Sequence, residues 1–361
     1  MKVAIVHDWL YGGGAERVIQ QLHELYPDAP IYTSYCTDEW KKRLDGKVIT
    51  GYLQHWPFSK LRRMLPLLRV FWFRNLDLSE YDLIISSSGN GEAKDLTIPE
   101  TAMYMCYCHA PTHYYWRSYD QYMKHPGFGM FNPIARLGMK LLAGPLRKED
   151  YKAAQKPKYF IANSSFIKKE IKQFYKRDAV VVHPPVNIER FVDAATKEKK
   201  GFVTVGRQVA YKRFDLIIDA CNELQVPLTI IGNGPEHKNL INRAGPTITF
   251  KTHLTDKQMP KELAKAEAFI FAAVEDFGVA PVEAMAAGTA VIAYKDGGAL
   301  DYVTKETGTF FEQQTTASLV KAIEHFSVKD FDTKKLQKQA ASFSDDMFKA
   351  HMQSFIDSKI S

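Results

Sequence analysis

The chain of 361 residues is 45% hydrophobic and 25% charged, which is ordinary for a soluble globular protein and long enough for two domains. It contains no apolar run of about 18 residues, so a membrane-spanning helix is not expected. The formal net charge of +7 favours an anionic partner but does not distinguish a nucleotide from a nucleic acid or a membrane.

Short apolar runs that predict β-strands alternate with helical patterns along the whole chain. The first series of predicted strands covers residues 3–6, 31–35, 83–87, 103–108, 159–162 and 180–182. The second series covers residues 202–205, 228–231, 247–250, 268–271 and 291–293. Because strands separated by helices form parallel βαβ units, the two series predict two doubly wound α/β domains that face a central cleft.

A polar segment at 192–200 marks the predicted boundary between these domains. The predicted N-terminal domain is 1–195 and the predicted C-terminal domain is 196–342. A helical pattern over 343–361 predicts a terminal helix that crosses back onto the first domain.

Three consecutive glycines, Gly12, Gly13 and Gly14, follow the first predicted strand and precede a predicted helix. Glycines at such a turn let backbone N–H groups approach a ligand closely, and the helix N-terminus favours an anion. The spacing is not the dinucleotide-binding fingerprint, because Arg17 stands where the third glycine of that motif belongs. A plain tight turn explains the three glycines equally well.

Two cations, Arg207 and Lys212, flank the loop after the first strand of the second series. A fork-shaped guanidinium and a compact ammonium on one loop suit a diphosphate, and a solvated basic turn is the alternative. His109 follows the predicted strand 103–108 and is expected at its carboxyl end. There it can contact a sugar oxygen or a phosphate, and a purely structural histidine is the alternative.

Two carboxylates, Glu275 and Glu283, surround a turn that contains Gly278. The buried strand predicted at 268–271 places Glu275 on the following loop, and Pro281 suits the first turn of a helix that carries Glu283. Open α/β sheets bind ligands at the carboxyl ends of their strands, where carboxylates accept hydrogen bonds from vicinal sugar hydroxyls. A helix N-terminal charge beside a solvated loop acid is the alternative.

The sequence resembles the retaining nucleotide-sugar glycosyltransferases of the GT-B fold, glycosyltransferase family 4, over nearly the whole chain. The most specific match is the pair of glutamates eight residues apart, Glu275 and Glu283. Further matches are Gly206-Arg207 with Lys212, Asn163-Ser164, Pro184-Pro185-Val186 and Gly297-Gly298. Residues 106–112 with Tyr115-Trp116 resemble the branch that uses GDP-mannose. The departures are Asp301, where the family usually has Glu, and Arg117, where this branch usually has Asp.

The resemblance implies which residues hold the diphosphate of the donor. Arg207 and Lys212 would bind it and stabilise the departing nucleotide, while Gly13 and Gly14 would approach it from the first domain. His109 would contact the donor sugar and help to stabilise the transition state. The implied reaction is a front-face transfer in which the leaving phosphate itself accepts the proton of the acceptor.

The resemblance also implies which residues hold the sugars of the donor. Glu283 would bind the ribose hydroxyls. Glu275 would hold hydroxyls of the transferred hexose, together with backbone amides near Phe277, Gly278 and Val279. The expected catalytic set is therefore His109 with the two cations and Glu275.

No resident metal or cofactor is expected, and the nucleotide sugar acts as a co-substrate. No Asp-x-Asp pair follows a predicted strand, and His, Asp and Glu residues are scattered without a compact ligand spacing. Cys36, Cys106, Cys108 and Cys221 form no Cys-x-x-Cys pair. They predict buried free thiols and a reducing cytoplasm.

Residues 58–74 are basic and apolar and contain no acidic residue. The apolar positions that fall on one helical stripe are Phe58, Leu61, Leu65, Leu68 and Trp72. The positive charges are Lys60, Arg62, Arg63, Arg69 and Arg74. This pattern suits docking on the anionic inner face of the plasma membrane, and a core-packed helix with solvated basic flanks is the alternative. A second run, 134–147, allows the same two interpretations.

The first hypothesis is a retaining hexosyltransferase that moves mannose from GDP-mannose to a glycan or lipid-linked acceptor. A UDP-hexose-dependent transferase is the alternative within the same class. Outside this class, the sequence also allows a nucleotide-sugar epimerase of similar architecture or a non-catalytic nucleotide-sugar-binding protein. Nucleic acid is not an expected partner, because the sequence contains no recognised reader motif.

Overall fold

The structure is a computed structural model that describes residues 1–61, 66–89, 91–124, 129 and 132–360. It divides the chain into two compact units. The N-terminal unit comprises Met1–Pro184 together with His351–Ser361, and the C-terminal unit comprises Pro185–Ala350.

The N-terminal unit is built on a seven-stranded sheet in which all pairings are parallel. Its strands are β1 (Val3–His7), β2 (Ile31–Thr33), β3 (Val48–Thr50), β4 (Leu83–Ser88), β5 (Met103–Cys108), β6 (Tyr159–Ala162) and β7 (Ala179–Val181). Their order across the sheet is β3-β2-β1-β4-β5-β6-β7. Every residue of β1 and β4 is buried, as expected for parallel strands that are covered by helices on both faces.

The helices that surround this sheet follow the strands along the chain. They are α1 (Ala15–Leu25), α2 (Asp38–Arg43), α3 (Phe58–Leu61), α4 (Pro66–Arg74), α5 (Tyr119–Lys124), α6 (Asn132–Ala153) and α7 (Ser165–Glu170). Ser164 caps α7, since its hydroxyl oxygen accepts the N–H of Ile167 at 3.1 Å.

The C-terminal unit contains a six-stranded parallel sheet. Its strands are β8 (Phe202–Val205), β9 (Leu228–Ile231), β10 (Ile248–Lys251), β11 (Ala268–Phe271), β12 (Ala290–Tyr294) and β13 (Gly308–Phe311), in the order β10-β9-β8-β11-β12-β13. Its helices are α8 (Glu189–Val192), α9 (Phe214–Leu224), α10 (His237–Arg243), α11 (Gln258–Lys265), α12 (Val279–Ala286), α13 (Thr316–Glu324) and α14 (Thr333–Ala341). The two units are thus both doubly wound α/β folds, as the sequence predicted.

Two strands were not predicted, and both are short edge strands. β3 has only three residues, and its middle residue Ile49 is 43% exposed. β13 begins at a glycine, which is a weak strand signal. The other eleven strands begin and end within two residues of their predicted positions.

The division between the units lies at Pro184–Pro185, before the predicted boundary at residue 195. Residues just after this point already pack in the C-terminal unit, because Val186 and Phe191 belong to its hydrophobic core. The N–H of Val186 also donates to the carbonyl of Phe343 at 2.8 Å. The polar segment 192–200 is therefore a surface connection inside this unit.

The terminal helix, α15 (Asp345–Ile360), contributes its last residues to the N-terminal unit. There the ring of Phe355 packs edge-on against Tyr159, with 6.0 Å between ring centroids. The four cysteines are buried and free. Within the described ranges, no helix combines the length and the apolar character needed to cross a bilayer.

Three members of the apolar stripe predicted for 58–74 pack inward. Trp72 is buried in the core, and Phe58 and Leu68 are partly buried against the same core. Four members of this segment, Arg62, Arg63, Met64 and Leu65, lie outside the described residues. The described part of the stripe thus follows the core-packed alternative.

Candidate active site

The loop after β8 carries Arg207 and Lys212 and leads into α9. Arg207 is exposed, whereas Lys212 folds back over the loop. A Cβ atom placed on Gly206 would lie 2.9 Å from Lys212 Nζ, so glycine at 206 provides the space for the ammonium group. Lys212 Nζ then pairs with Glu275 Oε1 at 2.5 Å, and the two side chains are only 17% and 19% exposed. The structure thus brings two of the predicted catalytic residues together.

The neighbouring loop after β9 supports the Arg207 loop through contacts that the sequence analysis missed. Gln208 is fully buried, its side-chain amide donates to the carbonyl of Gly232 at 2.8 Å, and its Oε1 accepts from His237 Nδ1 at 2.7 Å. Gly232 has a φ of +121°, and a Cβ there would overlap the carbonyl of Gly206. The only available signal was the Gly-Asn-Gly triplet that follows a strand.

The loop between β11 and α12, which carries Glu275, is held by the glycine pair Gly297-Gly298. The N–H of Gly298 donates to the carbonyl of Glu275 at 2.8 Å. A Cβ on Gly297 would lie 2.7 Å from that same carbonyl oxygen, and a Cβ on Gly298 would overlap the backbone of Phe277. The Phe277 ring is buried and packs edge-on against Tyr302, with 5.4 Å between centroids. The side chain of Phe277 is therefore a core residue, which leaves only its backbone for a ligand.

Helix α12 starts directly after Gly278, whose φ of +91° is a conformation that favours glycine. The first N–H groups of a helix lack intrahelical acceptors and carry partial positive charge, so Val279 lies where an anion or a hydroxyl oxygen is favoured. Glu283 is half-buried within the same helix. The predicted donor-binding set 277–279 with Glu283 thus spans the end of the β11–α12 connection and the first five residues of α12.

Tyr302 is a further residue of this region that sequence reasoning missed. It is completely buried, and among the described residues its hydroxyl has no hydrogen-bond partner. Burial raises the pKa of Tyr302 well above its ordinary value, and the negative charges of Glu275 and Asp301 raise this pKa further. A Cβ on Gly278 would lie 2.8 Å from the hydroxyl oxygen. A protonated phenol thus lies beside the start of α12.

In the N-terminal unit the three-glycine loop is organised by Glu16. The carboxylate of Glu16 is buried and accepts the N–H of Gly12 at 3.0 Å and that of Tyr11 at 3.4 Å. Gly13 and Gly14 are exposed, and a Cβ on Gly13 would lie 2.8 Å from Glu16 Oε2. Glu16 therefore takes two of the loop's backbone donors, which the glycine pattern alone does not reveal.

His109 is the third side chain in a chain of contacts at the carboxyl ends of β1, β4 and β5. Its Nε2 lies 2.8 Å from Ser87 Oγ, which in turn lies 3.1 Å from His7 Nδ1. His7 Nδ1 also lies 2.9 Å from the Ser87 carbonyl, so this nitrogen must be a donor. The Ser87 hydroxyl then favours donating to His109 Nε2, which places the ring proton of His109 on Nδ1.

Burial, and secondarily the nearby His7, lowers the pKa of His109 to about 3. The imidazole is therefore neutral at physiological pH and acts as a hydrogen-bond donor without a charge. Asn163 fixes the backbone here, because its side-chain amide donates to the carbonyl of His109 at 2.9 Å.

Among the residues that the structure describes, no group of three or more His, Cys, Asp or Glu side chains is arranged to hold a metal ion.

The C-terminal unit is similar to a known protein family over most of its length. Residues 185–343 match the family of glycosyl transferases group 1. No curated protein sequence matches the chain.

Solved structures resemble the whole chain. HepE from Anabaena, in complex with UDP and glucose, has a TM-score of 0.68 and 19% identity, with 99% of this chain and 100% of that chain covered. Sucrose-phosphate synthase from Thermosynechococcus elongatus has a TM-score of 0.72 and 14% identity over 100% of this chain and 99% of that chain. A glycosyltransferase from Rickettsia africae has a TM-score of 0.65 and 16% identity over 98% and 97%.

At these identities the similarity establishes the fold, which is GT-B: two Rossmann-like α/β units, each with a parallel sheet. The C-terminal unit matches the family of glycosyl transferases group 1 over residues 185–343, and this match supports a glycosyltransferase.

Proposed function

We propose that the protein is a retaining hexosyltransferase that transfers a sugar from a nucleoside diphosphate to a glycan or lipid-linked acceptor. The observation that carries the proposal is the Lys212–Glu275 pair at 2.5 Å within the group 1 domain. It combines a cation suited to a phosphate with a carboxylate suited to sugar hydroxyls at one point. The neighbouring Arg207 is exposed and supplies a second cation on the same loop.

The proposed reaction proceeds on one face of the sugar. The bond from the anomeric carbon to the diphosphate oxygen breaks, and the acceptor oxygen forms its bond to that carbon from the same side. The acceptor's proton passes to the departing phosphate. Lys212 and Arg207 stabilise the charge that develops on the diphosphate, while Glu275 and Glu283 hold sugar hydroxyls.

His109 is proposed to contact the donor sugar as a neutral hydrogen-bond donor. Its depressed pKa and its contact with Ser87 support this role, because they keep a single ring proton on Nδ1. Gly13 and Gly14 are proposed to approach the diphosphate, and their exposure leaves them accessible.

GDP-mannose is the proposed donor, supported by the resemblance of residues 106–112 and Trp116 to the mannosyltransferase branch. The departure at Arg117 has a structural role here, because its guanidinium pairs with Glu170 at 3.2 Å. A UDP-hexose is the second candidate donor, favoured by the similarity to HepE, whose structure contains UDP and glucose. We further propose that transfer requires no resident metal and occurs in the cytoplasm, which the four free cysteines support.

A panel of nucleotide sugars tests this function. Each donor is added to the purified protein with a panel of glycan and lipid-linked acceptors, and thermal shift and release of nucleoside diphosphate are measured. A transferase releases nucleoside diphosphate with one donor, and the anomeric configuration of its product is that of the donor. A changed nucleotide sugar without acceptor would indicate an epimerase, and binding without release would indicate a non-catalytic binding protein.

A further inference from the structure

The most exposed large apolar side chains of the described chain concentrate on two helices of the N-terminal unit. Helix α6 exposes Ile134 (69%), Leu137 (59%), Leu141 (66%) and Leu142 (56%), and α4 exposes Leu67 (69%) and Phe71 (61%). Apart from Met1 and Trp56, no other large apolar residue in the described ranges exceeds 48% exposure. This concentration marks an interaction surface rather than scattered exposure.

The exposed side chains of α6 form a stripe on its outer face. Ile134, Leu137 and Leu141 follow the spacing i, i+3, i+7, which places them on one side of a helix. Ala143 and Asp150, which follow the same seven-residue spacing, are buried on the opposite side. A helix of a globular protein normally turns its apolar stripe toward the core, whereas α6 turns it outward.

The buried face of α6 is held to the rest of the N-terminal unit by hydrogen bonds. The carboxylate of Asp150 accepts four hydrogen bonds, from Lys94 Nζ at 2.5 Å, Thr112 Oγ1 at 2.7 Å, Trp116 Nε1 at 2.7 Å and the Tyr175 hydroxyl at 2.9 Å. A buried carboxylate with this many donors holds the helix in one orientation.

The charge of the α6 surface is positive. Residues 132–148 contain no acidic residue, and the exposed cations are Arg136, Lys140 and Lys148. Among the described residues neither of the two lysines forms an ion pair. A basic surface around an apolar stripe matches an anionic lipid headgroup layer above hydrocarbon.

The segment 58–74 contributes less to such a surface than its composition suggests. Arg69 is buried and pairs with Glu92 at 2.5 Å. Arg74 pairs with Asp95 at 2.7 Å and with Glu149 at 3.2 Å. The charges of Arg69 and Arg74 are therefore neutralised by these ion pairs. In the described part of α4, the side chains available to a membrane are those of Leu67 and Phe71.

We propose that α6 docks the protein on an anionic lipid bilayer. Ile134, Leu137 and Leu141 enter the interface, and Lys140 and Lys148 contact the headgroups. This inference does not depend on the proposed enzymatic function, since it uses only the exposed face of one helix.

Co-sedimentation of the full chain with vesicles tests the proposal. Phosphatidylcholine vesicles with and without phosphatidylglycerol are compared at low and high salt, and binding is expected with phosphatidylglycerol at low salt. The variant Leu137→Gln/Leu141→Gln should lower the partition coefficient roughly a hundredfold, about tenfold for each leucine. Lys140→Gln/Lys148→Gln should lower it roughly thirtyfold.

The matched control is Ile241→Gln, which alters a residue of α10 that is 47% exposed in the other unit. It should bind vesicles like the wild type, and all variants should keep the wild-type unfolding temperature because the altered side chains are exposed. Absence of binding at low salt, or wild-type binding by the double leucine variant, overturns the proposal. A lipid-free dimer that becomes a monomer in the double leucine variant also overturns it, since a second copy then covers the stripe.

Discussion

Replacing Lys212 by alanine separates the proposed catalytic role of this residue from its role in stability. The ammonium group of Lys212 contacts Glu275 at 2.5 Å, and both side chains are mostly buried. Its removal leaves the carboxylate without this partner and removes a cation from the proposed diphosphate site.

The expected loss of stability is modest. An exposed ion pair contributes about 0–1 kcal/mol, and breaking a fully buried pair costs about 3–5 kcal/mol. With exposures of 17% and 19%, the Lys212–Glu275 pair falls between these limits, and we expect a cost of about 1–2 kcal/mol. For a unit of this size, that corresponds to a decrease in unfolding temperature of about 2–6 °C.

The expected loss of turnover is much larger. If Lys212 stabilises the leaving diphosphate, its contact operates mainly in the transition state, as in an oxyanion hole. The loss of one such contact costs about 3–4 kcal/mol, so kcat should fall by roughly two to three powers of ten. KM for the donor should change far less than kcat.

The assay is release of nucleoside diphosphate under saturating donor, with thermal unfolding measured on the same preparations. The matched control is Lys251→Ala, which breaks a Lys–Glu pair of the same unit, with 2.7 Å between Lys251 Nζ and Glu262 Oε2 and side-chain exposures of 34% and 22%. This control should lose similar stability and keep its turnover. If Lys212→Ala retains turnover within about threefold of the control, the assignment of the loop to the diphosphate is refuted.

Four further predictions concern other parts of the candidate site. Because the folded-state pKa of His109 is about 3, this side chain should show no protonation between pH 8 and 5 in nitrogen-15 NMR. The unfolded chain binds the same proton near pH 6.5, so the contribution of His109 to stability is lost as the pH falls from about 6.5 toward 3. Ser87→Ala should convert the single His109 tautomer into a mixture in the same spectra, and an unchanged tautomer would contradict the proposed contact. Gly298→Ala should lower the unfolding free energy of the C-terminal unit by at least about 2 kcal/mol in denaturant titration, because the added methyl overlaps the Phe277 backbone. Turnover should persist in excess chelator. If chelator abolished turnover and an added divalent metal restored it, metal-independent transfer would be contradicted.

The strands of the two parallel sheets were predictable because each strand is marked by its own residues and their neighbours in the sequence. Strands such as β11 are short, continuously apolar and followed by loops and helices, so the residues themselves show where each strand ends. The spacing of Glu275 and Glu283 around Gly278 likewise fixes a strand-to-helix connection without any tertiary information. Edge strands such as β3 lack this signal, since a three-residue strand with an exposed centre has almost no pattern.

The supporting contacts of the site could not be predicted because they join residues that are distant in sequence. Ser87 contacts His7, which precedes it by 80 residues, and Gln208 contacts His237 29 residues later. The inward orientation of Phe58, Leu68 and Trp72 could not be predicted for a related reason. A helical pattern shows which residues share a face, but it does not show whether that face meets the core or the solvent.

The glycines explain how two distant side chains reach the same point. Gly206 leaves space for the ammonium group of Lys212, and Gly297 lets a second loop press against the backbone of Glu275. Each glycine is easily seen in the sequence, but the sequence does not show which side chain or backbone segment packs against it. Lys212 and Glu275 form an ion pair in this arrangement, so under the proposed function a diphosphate that takes the ammonium would release the carboxylate for the hydroxyls of the same donor. One binding event would then exchange an internal ion pair for two ligand contacts, and a ligand that offers only a phosphate would leave the carboxylate without compensation. Under the proposed function, the pair would therefore favour a complete nucleotide sugar over its separate parts.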